Sequence, residues 1–210
     1  MRYDLHVHSC YSICSNNQLK DILLTAKKKH LDGMALTDHN KIAGAMKLAS
    51  LNRDKDFEVI IGEEVQSEYG HILGLYLNKE LKARTVSGIL DEIHSQGGIA
   101  IFAHPFDIFR HPFPRDVMSK YKDAAVETFN ARMLFPWQNF LADKAARSLR
   151  SAKTGGSDAH FSYEIGQAYT CFEGDLKKAI KKKSTTAQGS CILAPIGIAN
   201  TFLHKRLGIL

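Results

Sequence analysis

The sequence has little of what membrane proteins and disulfide-rich proteins need. No apolar run approaches the ~20 residues of a membrane-spanning helix. The N-terminus places Asp4 and two histidines where a signal peptide would need apolar side chains. The four cysteines form no C-x-x-C pair and no dense framework, so we expect reduced thiols rather than a disulfide scaffold. These absences favour a cytoplasmic protein without a membrane partner.

The totals are those of an ordinary globular protein. The 210 residues are 44% hydrophobic and 24% charged, which predicts a single domain over residues 1–210. The net charge of +6 is concentrated partly in the lysine-rich run 177–183. We expect that run to be a solvated helix face, although a nucleic-acid contact stays open.

Strand-like and helix-like segments alternate along the chain. Apolar runs predict strands over 2–8, 34–37, 57–61, 71–77, 99–103, 124–129 and 168–172. Helical spacing predicts helices over 19–30, 42–51, 85–96, 137–150, 175–183 and 196–207. Strands that alternate with helices predict parallel pairing with helical crossovers. Six or seven such units favour an α/β fold with a closed or nearly closed barrel.

Histidine is placed in a pattern that the rest of the composition does not explain. Six of the ten histidines lie at or near the ends of predicted strands: His6, His8, His39, His71, His104 and His160. The two-residue repeat of a strand puts His6 and His8 on one face. In a barrel the carboxyl ends of the strands converge at one mouth, where Glu64 and Asp158 would also lie. His71 begins its run, so it needs an antiparallel strand to reach the same mouth.

These side chains are more ligands than one metal requires, since a mononuclear catalytic zinc site uses three protein ligands. Mixed nitrogen and oxygen donors suit manganese, iron or zinc. A carboxylate such as Glu64 can bridge two cations, and paired cations offset charge at both oxygens of a phosphoryl transfer. The pattern therefore favours a multinuclear metallohydrolase acting on phosphate esters. Metal-dependent amide hydrolysis or deamination stays open at this point.

Five short motifs, in order, resemble the PHP (polymerase and histidinol phosphatase) superfamily. They are Asp4-Leu5-His6-Val7-His8-Ser9, Leu36-Thr37-Asp38-His39-Asn40, Gly62-Glu63-Glu64 with Gly70-His71-Ile72-Leu73-Gly74, Ala103-His104-Pro105, and Gly156-Ser157-Asp158-Ala159-His160. The match spans residues 3–160, and the apolar end of the segment 166–210 resembles the tail of stand-alone members. The resemblance implies a distorted (β/α)7 barrel with a C-terminal helical tail. It also implies two or three divalent metal ions, usually manganese, iron or zinc.

The resemblance assigns three ligand groups: His6, His8, Glu64 and Asp158 to a first metal, Glu64, His71 and His104 to a second, and His39 and His160 to a third. Glu64 is preferred over Glu63 because the two point to opposite faces of a strand. The expected catalytic residues are Glu64, His39 and His160, and either of those two histidines is expected to protonate the leaving oxygen.

One position departs from the family pattern. Many members have an acidic residue, or a histidine, five or six residues after the second histidine, where this chain has Ile13 and Cys14. Cys14 could be a thiolate ligand or a small semi-buried loop residue. The third metal site could accordingly be weak, completed by water or empty.

Several neighbours of these motifs have expected roles. Asp4 and Asp38 are expected to orient imidazoles, against the alternative of local loop hydrogen bonds. Arg132, just after a predicted strand, is the favoured phosphate clamp. Three other arginines are weaker candidates for the same role, with a solvated surface position favoured for each: Arg110, Arg115 and Arg147.

The segment 106–116 reads as a loop that contains Pro112 and Pro114. Its three phenylalanines could stack on a ring of the substrate as a lid, or could anchor the loop to the barrel. Both interpretations stay open.

The expected function is hydrolysis of a small phosphorylated metabolite by metal-activated water. Nucleotides and short oligonucleotides are favoured as substrates, and a histidinol-phosphate-type phosphatase is the alternative. From another class, the chain could be a metal-binding subunit without catalysis. The sequence leaves open monoester against diester cleavage, the native metal and the oligomeric state.

Overall fold

The computed structural model describes residues 1–207. Across them run nine strands: β1 (Arg2–Val7), β2 (Gly33–Leu36), β3 (Glu58–Gln66), β4 (His71–Leu75), β5 (Ile99–Phe102), β6 (Ala125–Asn130), β7 (Lys153–Gly156), β8 (Ala168–Cys171) and β9 (Thr186–Gly189). Seven α-helices connect or follow them: α1 (Leu19–Lys28), α2 (Ala43–Leu51), α3 (Val86–Ser95), α4 (Arg115–Ser119), α5 (Pro136–Leu149), α6 (Leu176–Lys182) and α7 (Ala194–Leu207).

The strands form one sheet that curls into a nearly closed barrel. Its order is β7-β6-β5-β4-β3-β2-β1-β8-β9. The barrel closes where β7 approaches β1, and just beyond these two strands the backbone N–H of His8 donates to the carbonyl of Ala159 at 2.9 Å. Strand β8 lies against β7 as well, because Thr170 Oγ1 bonds both the N–H and the carbonyl of Gly155. The predicted distorted α/β barrel with a C-terminal helix is therefore confirmed.

Strand β4 interrupts the parallel order of the barrel strands. It runs antiparallel to both β3 and β5, whereas β1, β2 and β3 are parallel, as are β5, β6 and β7. Gln66, the last residue of β3, pairs with His71, the first residue of β4. The reversal places His71 at the same mouth as the carboxyl ends of the parallel strands, as its position required.

Three elements went unpredicted: α4, β7 and β9. Strand β7 contains Gly155 and Gly156, and because glycine is depleted in strands, the local sequence pattern predicts a loop there. The structure needs the glycine at 156, because a Cβ there would overlap the side chain of His6. Strand β9 is a largely exposed edge strand with a weak apolar pattern.

Three further features concern the lysines of α6, the cysteines and the lengths of the helices. The lysines of α6 are exposed, and the helix buries Leu176, Ala179 and Ile180. The four cysteines are free. No helix within residues 1–207 is long and apolar enough to cross a membrane. The last three residues of the predicted C-terminal segment 166–210 lie outside the described residues, and the single-domain organisation stays a prediction.

Candidate metal centre

All eight predicted ligands lie together at the mouth of the barrel. His6, His8, Glu64 and Asp158 are at most 1% exposed. Glu64 lies at the centre, because its two carboxylate oxygens face different histidines. Oε2 lies 3.5 Å from His6 Nε2, 3.2 Å from His8 Nε2 and 3.1 Å from His39 Nδ1. Oε1 lies 3.2 Å from His71 Nδ1 and 3.1 Å from His104 Nε2.

Asp158 faces the same space from β7. Its Oδ1 lies 3.6 Å from His6 Nε2 and 3.4 Å from His8 Nε2, and it is 3.6 Å from Nδ1 of His160. The ligand atoms form three overlapping groups: His6, His8 and Asp158; His6, Glu64 and His104; and His8, His39 and His160. The structure thus brings together residues that span three quarters of the chain.

The atoms that converge are short of hydrogen-bond partners. Glu64 Oε2, Asp158 Oδ1 and His71 Nδ1 are buried and have none among the described residues. An unpaired buried polar atom costs about 1–3 kcal/mol, and more if charged. A cation among these lone pairs would remove that cost, and nitrogen and carboxylate donors suit manganese, iron or zinc. The residues present therefore fit divalent metal ions.

Three of the imidazoles are turned toward this space by a bond on their other nitrogen. His6 Nδ1 lies 3.0 Å from Glu127 Oε1, His71 Nε2 lies 2.9 Å from Gln66 Oε1, and His160 Nδ1 lies 2.8 Å from the carbonyl of Asp158. Each acceptor favours the tautomer that carries its proton on that nitrogen. The remaining nitrogen keeps its lone pair, which is the arrangement that metal ligation needs.

The ionisation of the centre favours cation binding. Burial would raise the pKa of Glu64, but His71, His6 and His39 lower it well below its usual range. Burial likewise opposes ionisation of Asp158, while Arg110 and His6 bring its pKa well below the usual value. Both carboxylates are therefore ionised at neutral pH.

Four of the histidines divide into two classes by the direction of their pKa shift. Burial lowers the pKa of His39 and of His71 to about 4, so both are neutral at pH 7. Burial would lower the pKa of His6 too, but the carboxylates of Asp158, Glu127 and Glu64 raise it well above its usual value. The pKa of His8 is also raised, since contacts with Asp158 and Glu64 outweigh its burial.

The third ligand group departs from the family pattern as the sequence indicated. Ile13 is exposed, whereas Cys14 is buried and lines the same cavity as His39 and His160. Burial raises the pKa of the Cys14 thiol to about 12, which favours the neutral form. A small buried loop residue fits this environment better than a thiolate does.

Asp4 and Asp38, which were expected to orient imidazoles, make different contacts. Asp4 accepts hydrogen bonds from the backbone N–H groups of Ser157 and Gly166, at 2.8 and 2.9 Å, and contacts no imidazole among the described residues. It joins β1 to the segments after β7 through these long-range bonds, and its orienting role stays a prediction. Asp38 acts at one remove, since it accepts from Ser12 Oγ at 2.6 Å, and that oxygen lies 3.4 Å from His8 Nδ1.

The arginines are arranged differently from the expectation. Arg132 is buried and its Nη1 donates to both carboxylate oxygens of Glu164, at 2.7 and 3.0 Å. Its role as a phosphate clamp stays a prediction. The expected solvated position of Arg110 is wrong, because its Nη1 lies 2.6 Å from Asp158 Oδ2 inside the cavity. Asp107 accepts its Nε–H and fixes the guanidinium there.

The phenylalanines of the segment 106–116 differ in burial, and the lid interpretation stays a prediction. Phe113 is buried and packs on Phe102 with ring centroids 4.9 Å apart, so it anchors the loop. Phe109 is 68% exposed at the cavity mouth, where a ring could stack.

Sequence reasoning missed Glu127, Asn130 and Glu164. Glu127 orients His6 and also accepts the backbone N–H of His104 at 2.7 Å. Asn130 Nδ2 donates to Glu127 and to Asp158, at 3.0 and 3.3 Å. Glu164 accepts the N–H of His160 at 2.9 Å. A glutamate inside the apolar run 124–129 was the available signal, because a buried carboxylate needs a partner.

The comparisons with known proteins agree with this geometry. A family model described as PHP domain matches residues 4–133, and a second, described as PHP-associated, matches residues 136–185. Two uncharacterized proteins of Methanocaldococcus jannaschii are similar. MJ1587 is 34% identical over 142 residues, covering 62% of this chain and 82% of that protein. MJ0417 is 34% identical over 183 residues, covering 82% of this chain and 70% of that protein.

A solved structure with a similar fold comes from Bacteroides vulgatus. It is a two-domain protein containing a predicted PHP-like metal-dependent phosphoesterase, with a TM-score of 0.72 and 16% identity. The match covers 90% of this chain and 65% of that one, so this chain spans slightly less than two thirds of that protein. At this identity the likeness concerns the fold.

Proposed function

Because the chain belongs to the PHP (polymerase and histidinol phosphatase) domain family, we propose that it is a metal-dependent hydrolase of phosphate esters. One observation carries the proposal. Six imidazoles and two carboxylates converge at the barrel mouth, and three of their buried atoms lack a hydrogen-bond partner among the described residues. Such a donor set, at the carboxyl ends of barrel strands, is suited to hold several divalent cations.

The proposed ligands form three groups: His6, His8, Glu64 and Asp158 for a first metal, Glu64, His71 and His104 for a second, and His39 and His160 for a third. Manganese, iron or zinc would lower the pKa of water there and offset the negative charge of the phosphoryl group. Glu64 is proposed as the bridging residue because its two oxygens face different histidines. The third group, which lacks an acidic residue, is proposed to be the weakest.

The chain's own residues would position the substrate and handle the proton. Arg110 lies within the cavity and is held by Asp107, so its guanidinium is placed to meet an anionic phosphoryl oxygen. Arg132 is proposed for a similar role, although its guanidinium also pairs with Glu164. Burial lowers the pKa of His39 to about 4 and that of His160 well below its usual range. Either imidazole would have to gain a proton during turnover before it could protonate the leaving oxygen.

A small phosphorylated metabolite is the proposed substrate, most readily a nucleotide or a short oligonucleotide. The cavity at the mouth has a volume of about 780 Å³, within the range of small-molecule sites. Its rim includes Phe109, on which a planar ring could stack. The proposal extends to a cytoplasmic location, where the four free cysteines would remain thiols.

The test is turnover of p-nitrophenyl phosphate and bis-p-nitrophenyl phosphate by protein loaded with manganese, with metal content measured on the same sample. Hydrolysis that requires the metal supports the proposal. Faster hydrolysis of the diester would identify a phosphodiesterase, and histidinol phosphate belongs in the subsequent substrate panel. Full metal occupancy without turnover of either compound would favour a metal-binding subunit without catalysis.

A further inference from the structure

Helix α7 forms one wall of the cavity that contains the metal centre. Four of its side chains line the cavity: Ile198, Thr201, Phe202 and Lys205. His39, His71 and His160 line the same cavity from the barrel, and Phe109 and Arg110 line it from the 106–116 segment. A substrate bound by the metal centre would therefore extend between this helix and that loop.

The helix is fixed by the same ion pair that supports His160. Arg132 Nη2 donates to Thr201 Oγ1 at 2.9 Å, while Nη1 of the same guanidinium binds Glu164. Gly197 allows this close approach, because a Cβ at 197 would overlap the Glu164 carboxylate. A second bond, from Asn200 Nδ2 to Tyr163 OH at 2.8 Å, also holds the helix. The wall thus has a defined position relative to the metal ligands.

Two of the side chains that line the cavity from this wall, Phe202 and Lys205, are exposed. Phe202 is 63% exposed and Phe109 is 68% exposed, so two aromatic rings remain in water at the mouth of the cavity. Arg110 and Arg132 both pair with carboxylates, whereas the exposed Lys205 has no ion pair within residues 1–207. Lys205 is therefore the lining cation whose charge is left for a bound anion.

We propose that α7 is the substrate-recognition wall of the site, with Phe202 contacting a planar ring and Lys205 contacting a second anionic group remote from the reacting phosphate. This inference rests on the proposed phosphoesterase function. The substrate class that fits is a phosphate ester bearing both a ring system and a further negative charge. A small ester without these groups would reach the metal centre and leave the wall unused.

Three probes separate the two contacts. p-Nitrophenyl phosphate is the small reference, thymidine 5′-monophosphate adds a base, and 5′-phosphorylated dithymidylate adds a second phosphate. In Lys205→Gln we expect the ratio of kcat/KM for the dinucleotide to that for p-nitrophenyl phosphate to fall about tenfold, mainly through KM. That factor is typical of one lost hydrogen bond to a charged group. In Phe202→Ala we expect kcat/KM for each of the two nucleotides, relative to that for p-nitrophenyl phosphate, to fall about five- to tenfold.

Two neighbours on the same helix give matched controls. Arg206 and Leu203 are exposed and do not line the cavity, so Arg206→Gln and Leu203→Ala should keep the wild-type ratios. A Lys205 variant with the wild-type ratio, or an equal fall in Arg206→Gln, would overturn the Lys205 assignment. Equal falls in the Phe202 and Leu203 variants would overturn the other contact.

The test also separates this inference from the proposed function. If the metal-loaded wild type hydrolyses none of the probes, the phosphoesterase proposal fails. The Kd of the dinucleotide, measured by isothermal titration calorimetry, then decides the role of the wall. A Kd about tenfold larger in Lys205→Gln than in Arg206→Gln supports the recognition role of the wall. Equal Kd values in the two variants, or no binding to the wild type, contradict that role.

Discussion

The eight candidate ligands beneath the cavity, here called the floor, and the α7 wall are built in opposite ways. On the floor, side chains such as His6 and Asp158 are fully buried, and His6 is held through Glu127. On the wall, Phe202 is 63% exposed and its helix is fixed through Thr201 and the approach at Gly197. The floor side chains are held in place by burial and hydrogen bonds, whereas the wall presents exposed side chains to the cavity. Under the two proposals above, the strand ends would supply reactivity and the helix would select the substrate.

The largest expected effect comes from breaking the floor itself. His8→Ala removes a nitrogen that lies 3.2 Å from Glu64 and 3.4 Å from Asp158. We expect metal and activity to be lost together, by more than the ~10–100-fold typical of outer partners of metal ligands. Metal analysis and p-nitrophenyl phosphate turnover measure both. His94→Ala is the control, since His94 pairs with Asp123 away from the cavity. An unchanged metal count in His8→Ala would show that the floor does not use this residue.

A smaller effect is expected one layer behind the ligands. Glu127→Gln keeps the shape but weakens the acceptor that fixes His6 Nδ1. Metal affinity should fall about 10–100-fold, with the fold retained. Calorimetric metal titration with circular dichroism checks both. Glu63→Gln is the comparison, because Glu63 lies on the other face of β3, where it accepts the N–H of Leu81. A larger loss of affinity from the Glu63 variant would contradict the assignment of the two glutamates.

Metal binding to the floor should release protons at pH 7. Nearby carboxylates raise the pKa values of His6 and His8, so in the metal-free protein these imidazoles are protonated to a greater extent at pH 7 than free histidine is. An imidazole must be neutral to bind a metal, so metal affinity should rise with pH through this range. Titration calorimetry in two buffers of different ionisation enthalpy counts the released protons. A count of zero at pH 7 would show that neither imidazole loses a proton to the metal.

The smallest effect is expected where α7 packs against Glu164. Gly→Ala inside a helix usually adds up to ~1 kcal/mol of stability. At position 197 the added methyl group would overlap Glu164, so we expect Gly197→Ala to lower Tm and to raise KM for thymidine 5′-monophosphate a few-fold. Metal stoichiometry should be retained. A higher Tm with an unchanged KM would mean that α7 does not rest on the Arg132–Glu164 pair.

The sequence allowed the floor to be predicted better than the wall, for physical reasons. Barrel geometry sends strand ends to one mouth, so the positions of His6, Glu64, His104 and Asp158 along the chain were sufficient to expect their convergence. Even the antiparallel β4 followed from the place of His71 at the start of its strand.

The partners of these residues depend on contacts that no spacing reveals. Glu127 lies in an apolar strand, and its contact with His6 joins residues 121 apart in the sequence. Arg110 belongs to an irregular loop, whose path is set by the burial of Phe113 and by Asp107. The place of α7 follows from the pairing of Arg132 with Glu164 and Thr201, so an apolar C-terminal segment could be recognised as helical but not located.

The most direct test of a metal centre at the barrel mouth is a crystal structure of the manganese-loaded protein, with anomalous diffraction used to locate the ions. We expect at least two anomalous peaks, one among His6, His8, Glu64 and Asp158 and one among Glu64, His71 and His104. Full manganese loading without a peak at either position would contradict it.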